Sequence, residues 1–154
     1  MKKLLLGLSI IFLLLFVGYL FGWNAGIKNS QQPVSAPRNF DPKILWALIQ
    51  SWRLDNGLPP YTKDQKLCDL AQTRVKEIKN NFSHYGFDTK IPTFCAKIHC
   101  RDAAENLSQK AISEQWALQG WLESASHAAA LRKDFKYSCI ATDGDSAVQI
   151  FANY

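Results

Sequence analysis

The sequence predicts an α+β layered domain that follows one N-terminal hydrophobic helix. An uncharged, apolar run fills residues 4–23, and from residue 41 onward apolar residues recur at helical spacing. The chain then closes on two short β-type segments around Asp143-Gly144, a dipeptide typical of tight hairpin turns. Helices and a hairpin that are each apolar on one face bury those faces by stacking in layers. A length of 154 residues suits one such domain.

The first 40 residues predict a membrane anchor and a stalk. Lys2 and Lys3 precede the apolar run, and about 20 apolar residues, rising 1.5 Å each, cross a hydrocarbon core of ~30 Å. Basic residues before such a run favour a cytoplasmic N-terminus at residues 1–3 and a translocated body. Cleavable signals are usually shorter and end in an A-x-A pattern, which neither Ala25 nor Ala36 provides. We therefore expect a single-pass membrane protein with a flexible stalk over residues 24–40, and secretion is the alternative.

The charge distribution argues against a nucleic-acid partner. The formal net charge is +5, from 18 basic and 13 acidic residues. Four of the basic residues and none of the acidic residues precede residue 39, so the body that follows carries a net charge of only +1. A body this balanced lacks the basic surface that polyanions need.

The four cysteines predict two disulfide bonds. All of them follow the apolar run, and an even number of cysteines outside the cytoplasm is typical of disulfide bonding. Metal sites use short C-x-x-C pairs, which the sequence lacks. Of the three pairings, we favour Cys95–Cys100 as a local clip and Cys68–Cys139 as the long-range bond.

Two long helices are predicted in the first half of the body. Asp41 caps the first one, and Pro42 suits its first turn. The capping-box pattern Thr62-x-x-Gln65 opens the second helix, which ends near residue 80. Its buried face consists of the apolar residues at helical spacing, namely Leu67, Leu70, Ala71, Val75 and Ile78.

The second half predicts a loop-rich middle, two shorter helices and a hairpin. The middle spans residues 82–108 and contains Pro92. The helices and the hairpin strands are expected over about residues 111–122, 126–131, 137–142 and 147–153.

Three short stretches carry the candidate functional residues. They are Phe82 to His84 (FSH), Ala104 to Leu107 (AENL) and Trp121 to His127 (WLESASH). In this order, between a long helix and a terminal hairpin, they resemble the pattern of the CAP superfamily of cysteine-rich secretory, antigen 5 and pathogenesis-related proteins. Ala104 and Ser126 stand where that pattern has glycine. The resemblance covers about residues 41–154, is strongest to compact bacterial members, and implies a CAP-like α-β-α layered domain with a small antiparallel sheet.

The resemblance also implies a cleft lined by His84, Glu105 and His127. Larger members have two histidines and two acids there. In this chain Ser124 takes the position of the second acid, while Glu123, one residue earlier, is a fourth candidate. The ligands that the resemblance implies are lipids, glycans or peptides. A weak envelope-acting hydrolase or protease, and a structural envelope protein with a vestigial cleft, are the alternatives to a binding domain.

A carboxylate beside two imidazoles has a chemistry that does not depend on the resemblance. It can fix their tautomers and raise their pKa values, giving a base or a proton relay. We therefore expect Glu105 to be buried and paired, and the pKa of both His84 and His127 to be raised. The structural alternative is a polar cluster that only holds loops in place. No cofactor is expected, although Zn²⁺ on the two histidines is an alternative that needs further ligands to reach four-coordination.

Overall fold

The computed structural model describes residues 39–154. The predicted helix over residues 4–23 and nearly all of the stalk lie outside this range. Among the described residues, no helix combines the length and the apolar character needed to cross a membrane.

Helices and strands alternate along the described chain. In chain order they are α1 (Pro42–Asp55), β1 (Thr62–Lys63), α2 (Gln65–Ile78), α3 (Tyr85–Ile98), β2 (Asp102–Ser108), α4 (Glu114–Glu123), α5 (Ala125–Arg132), β3 (Tyr137–Asp143) and β4 (Ser146–Asn153).

The strands form one mixed sheet in the order β1-β3-β4-β2. The predicted hairpin is confirmed as β3 and β4, and β2 pairs antiparallel with β4 as an edge strand. The predicted small antiparallel sheet is therefore confirmed in part, because β1 runs parallel to β3 and makes the sheet mixed. The N–H groups of Thr62 and Asp64 donate to the carbonyls of Lys136 and Ser138, at 2.8 and 3.3 Å. A strand of two residues is too short to show an alternating pattern in the sequence.

A layer of helices covers each face of the sheet, as the layered α+β prediction requires. One core cluster joins α1, α4 and α5 to one face through Leu45, Ile49, Leu118, Trp121, Leu131, Ile140 and Phe151. The other joins α2 and α3 to the opposite face through Leu67, Leu70, Val75, Ile78, Phe87, Val148 and Ile150.

The predicted helix caps are right for α1 and wrong for α2. The Asp41 carboxylate accepts a hydrogen bond of 2.8 Å from the N–H of Lys43. The cap of α2 is Asp64, whose carboxylate accepts from the N–H groups of Lys66 and Leu67. Thr62, the predicted cap, lies in β1 instead. An ionised Asp two residues later can take the cap because its carboxylate also suits the positive end of the helix.

The prediction of a loop-rich middle is wrong, because this region contains α3 and β2. Pro92 lies inside α3, where it removes one backbone hydrogen bond and usually argues against a helix. Tertiary packing outweighs that loss. Phe87, Ile91 and Phe94 follow helical spacing and pack on the second core cluster.

Both favoured disulfides are present. Cys68–Cys139 joins α2 to β3 across 71 residues of sequence. Cys95–Cys100 joins the end of α3 to the residues that lead into β2. No cysteine in residues 39–154 is free.

Candidate functional site

Three elements bring His84, Glu105 and His127 together around the edge strand β2. His84 immediately precedes α3, Glu105 lies in the middle of β2, and His127 lies in the first turn of α5. Successive side chains of a strand point to opposite faces, so Glu105 faces α2 while Asn106 faces α5. The Asn106 side-chain amide donates to the carbonyl of His127 at 3.2 Å. The site therefore lies where both helical layers meet the edge of the sheet.

The contacts within the trio are asymmetric. His84 Nδ1 lies 3.1 Å from Glu105 Oε2, and the ring centroids of His84 and His127 are 5.7 Å apart. The side chain of Glu105 is fully buried, whereas that of His84 is 45% exposed. Glu105 therefore holds the ring of His84 through Nδ1, while nearly half of that side chain stays exposed to solvent.

Arg74 is the site residue that the sequence analysis missed. Its Nε donates to Glu105 Oε1 at 2.7 Å and its Nη2 donates to Glu105 Oε2 at 3.2 Å. Nη2 also donates to the carbonyl of Ser83 at 2.9 Å, one residue before His84, and Nη1 donates to Glu77 at 2.5 Å. One buried guanidinium thus holds both the carboxylate and the segment that carries His84.

The sequence did carry a signal for Arg74. The predicted buried face of the second helix includes Leu70, Ala71 and Ile78, and residue 74 lies on the same face, three or four positions from each of them. An arginine on an apolar face is almost never buried without a partner, so its position implies a buried acid. The sequence does not specify which acid.

The Arg74–Glu105 pair holds opposite charges inside the domain. Burial raises the pKa of Glu105 above its ordinary value, and the ion pair with Arg74 opposes that rise. Burial also disfavours the charged guanidinium, but its hydrogen bonds to Glu105 and Glu77 outweigh this effect and raise the pKa of Arg74. Because both oxygens of Glu105 accept from a guanidinium, we assign the carboxylate to its ionised form. The expectation that Glu105 is buried and paired is confirmed.

The expected rise in the pKa of His127 is wrong. Burial lowers its pKa, and the nearby charge of His84 lowers it further. The physical reason is that the Glu105 carboxylate contacts the ring of His84. The neighbour of the His127 ring within the trio is the ring of His84. His127 therefore favours its neutral form.

Glu123, the fourth candidate, points elsewhere. It lies at the exposed end of α4, and its carboxylate accepts a hydrogen bond of 2.8 Å from Gln119. In residues 39–154 no hydrogen bond or ion pair joins Glu123 to the trio. Ser124, at the position of the second acid, occupies the N-cap position of α5 without a side-chain capping hydrogen bond.

The donor set does not fit a zinc site. Arg74 occupies both oxygens of Glu105. The ring nitrogens of His84 and His127 are then the donors that the trio has left, whereas zinc in proteins has three or four protein ligands. In the part of the chain that the structure describes, no three His, Cys, Asp or Glu side chains are grouped to hold a metal ion.

Solved structures share this fold. A cysteine-rich secretory protein from Staphylococcus aureus has a TM-score of 0.63 at 16% identity, and an extracellular SCP-domain protein from Bacillus anthracis has a TM-score of 0.65 at 25% identity. Each similarity covers 73% of this chain. The chain has the CAP fold. No protein-family model and no curated protein sequence matches it.

The extent of these similarities differs between the CAP-fold neighbours. The chain spans 38% of the staphylococcal protein and 40% of the Bacillus protein. An outer surface protein from Borrelia burgdorferi, with a TM-score of 0.64 and 23% identity, is covered over 98% of its length and 77% of this chain. The CAP fold can therefore form most of a small surface protein as well as a part of larger ones.

Proposed function

We propose that this CAP-fold domain is a binding module whose ligand sits against His84 and His127. The single observation that carries the proposal is the buried bidentate Arg74–Glu105 pair directly beneath a half-exposed imidazole. A buried ion pair is expensive to desolvate and adds little net stability. An ion pair that also orients a solvent-facing side chain is better explained as preorganisation of a site.

The residues around the two imidazoles favour binding over hydrolysis by a cysteine nucleophile. Glu105 engages Nδ1 of His84, and His127 favours its neutral form, so both imidazoles can hydrogen-bond a ligand. All four cysteines are in disulfides, which removes the most readily activated nucleophile from a hydrolase mechanism. Lipids, glycans and peptides are the ligand classes for this site.

The proposed location is the outer side of a membrane. The apolar run over residues 4–23 would anchor the chain, and the two disulfides suit an oxidising compartment. The three neighbours are described as secretory, extracellular and outer surface proteins. Secretion after cleavage is the alternative to anchoring.

Native mass spectrometry of the full-length chain, purified from its own cell envelope, tests the proposal. We expect a co-purifying small molecule on the wild type and its loss from the His84→Ala/His127→Ala double variant. The variant Leu54→Ala, an exposed position on α1, is the matched control and should retain the molecule. A hydrolase would instead release a product from an envelope extract, and a purely structural protein would carry no molecule in any variant.

A further inference from the structure

Helix α4 carries an aromatic surface that the proposed cleft does not use. Trp116 is 62% exposed, whereas Trp121, five residues later in the same helix, is 1% exposed. The N–H of Trp116 donates to the Ser113 side chain at 3.2 Å, so the first turn that carries the indole is capped. An exposed indole beside a concavity is a candidate contact surface.

The surroundings of Trp116 are two rows of side chains along α4. Trp116 and Gly120 form one row, at i and i+4, and Gln115, Gln119 and Glu123 form the adjacent row at the same spacing. Together these five residues line a concavity of about 300 Å³. The hydrogen bond from Gln119 to Glu123, at 2.8 Å, orders the polar row beside the indole.

Gly120 leaves this concavity open, although no neighbouring side chain requires a glycine at this position. Apart from the adjacent residues and the backbone of α4 itself, no atom lies within 4 Å of the position that a Cβ would occupy there, and glycine inside a helix is destabilising relative to alanine. A longer side chain at this position would lie against the indole, because residues four apart on a helix are neighbours. The space in front of Trp116 therefore depends on a residue that the fold itself does not need.

We propose that this surface of α4 binds a neutral saccharide chain. The apolar face of a sugar ring carries weakly positive C–H groups that suit the negative face of an indole. Planar amides and a carboxylate suit the hydroxyls at the rim of the ring, and a purely apolar ligand would leave these groups unpaired. None of the five lining residues is basic, so an anionic ligand such as a phosphate would find no countercharge there.

The test uses the full-length chain in a detergent that has no sugar head group. Tetramers of β-1,4-linked glucose and of N-acetylglucosamine are titrated while tryptophan fluorescence and saturation-transfer NMR are recorded. We expect saturable binding of at least one tetramer. Trp116→Ala and Gly120→Leu should each weaken it at least tenfold, the second by filling the concavity without disturbing the helix. Leu54→Ala, another exposed apolar side chain on a helix, is the control and should bind as the wild type does.

Three results would overturn the proposal. They are the absence of saturable binding of either tetramer, binding that survives either substitution on α4, and a wild-type dimer that Trp116→Ala converts to a monomer in sedimentation equilibrium. The last result would assign the surface to a second copy of this chain. Because these variants lie outside the histidine trio, their outcome is independent of the ligand proposed for the cleft.

Discussion

Arg74 on α2 and Glu105 on β2 form a bidentate ion pair in the interior of the domain, with Nε–Oε1 and Nη2–Oε2 distances of 2.7 and 3.2 Å. Both side chains are almost completely buried. The pair connects the core to the solvent-facing site, because Glu105 contacts His84 and Arg74 also holds the carbonyl of Ser83. We therefore expect any substitution in this ion pair to change both the stability of the domain and the geometry of the cleft.

Replacing Arg74 with methionine should destabilise the domain by about 3–5 kcal/mol, because a buried carboxylate would lose its partner. Urea unfolding at pH 7 measures this loss as a free energy. The double variant Arg74→Met/Glu105→Gln should recover part of it, since no charge remains buried. Losses that simply add in the double variant would show that the two residues are not coupled.

Gly86 in α3 and Gly120 in α4 should respond in opposite directions to substitution by alanine. A Cβ on Gly86 would lie 2.0 Å from Arg74 Nη1 and 2.7 Å from Glu77 Oε2, so Gly86→Ala must displace the guanidinium that holds Glu105. We expect a loss of stability on the order of 1–3 kcal/mol, as for other overpacked sites. Gly120→Ala meets open space and should stabilise the domain by about 0.5–1 kcal/mol. Thermal unfolding of both variants measures these two changes in stability. Equal changes would contradict the close approach of Gly86 to Arg74.

The two disulfides should contribute unequally to stability. Cys68–Cys139 closes a loop of 71 residues and Cys95–Cys100 a loop of 5. On the chain-entropy model these are worth about 4 and about 2 kcal/mol, respectively. Paired alanine substitutions, compared by urea unfolding, should rank the losses in that order. The reverse order would mean that strain or residual structure, rather than loop entropy, sets their contributions.

His127 should make the domain less stable in mild acid. Burial, with the charge of His84 as the second cause, lowers its pKa in the folded state. The unfolded chain then binds the proton more tightly, so the stability from neutral His127 is present above the unfolded pKa of about 6.5. That stability is lost as the pH falls toward the lower folded pKa. His127→Gln should reduce the drop in unfolding free energy between pH 7 and pH 5, and an unchanged drop would contradict the assigned burial.

Local signals in the sequence predicted much of this fold. Asp41 with Pro42, the apolar face of α2, the β3–β4 hairpin and the cysteine pairing all depend on short-range patterns or on compartment chemistry, and all are confirmed. The segment Asp102–Ser108 has little strand propensity, and it forms β2 because β4 pairs with it along its whole length. A strand that depends on its neighbour leaves little local signal.

The sequence named the three residues that the structure brings together, but it predicted neither Arg74 nor the electrostatics of the cluster. The matching motifs named His84, Glu105 and His127 and also suggested Glu123, since a motif does not specify which way a helix faces. Glu123 lies in the polar row of α4 instead. Arg74, 31 residues before Glu105, became a partner only when α2 packed against the sheet. Its position on an apolar face signalled a buried ion pair without identifying the acid.

The most direct test of the central claim, that His84 and His127 form one site, is an NMR titration of both imidazoles in the wild type and in His84→Gln. The charge of His84 is one of the two causes that lower the pKa of His127, and the rings are 5.7 Å apart. Removing His84 should therefore raise the pKa of His127, while Leu54→Ala should leave it unchanged. A pKa of His127 that is the same in the wild type and in His84→Gln would contradict the account.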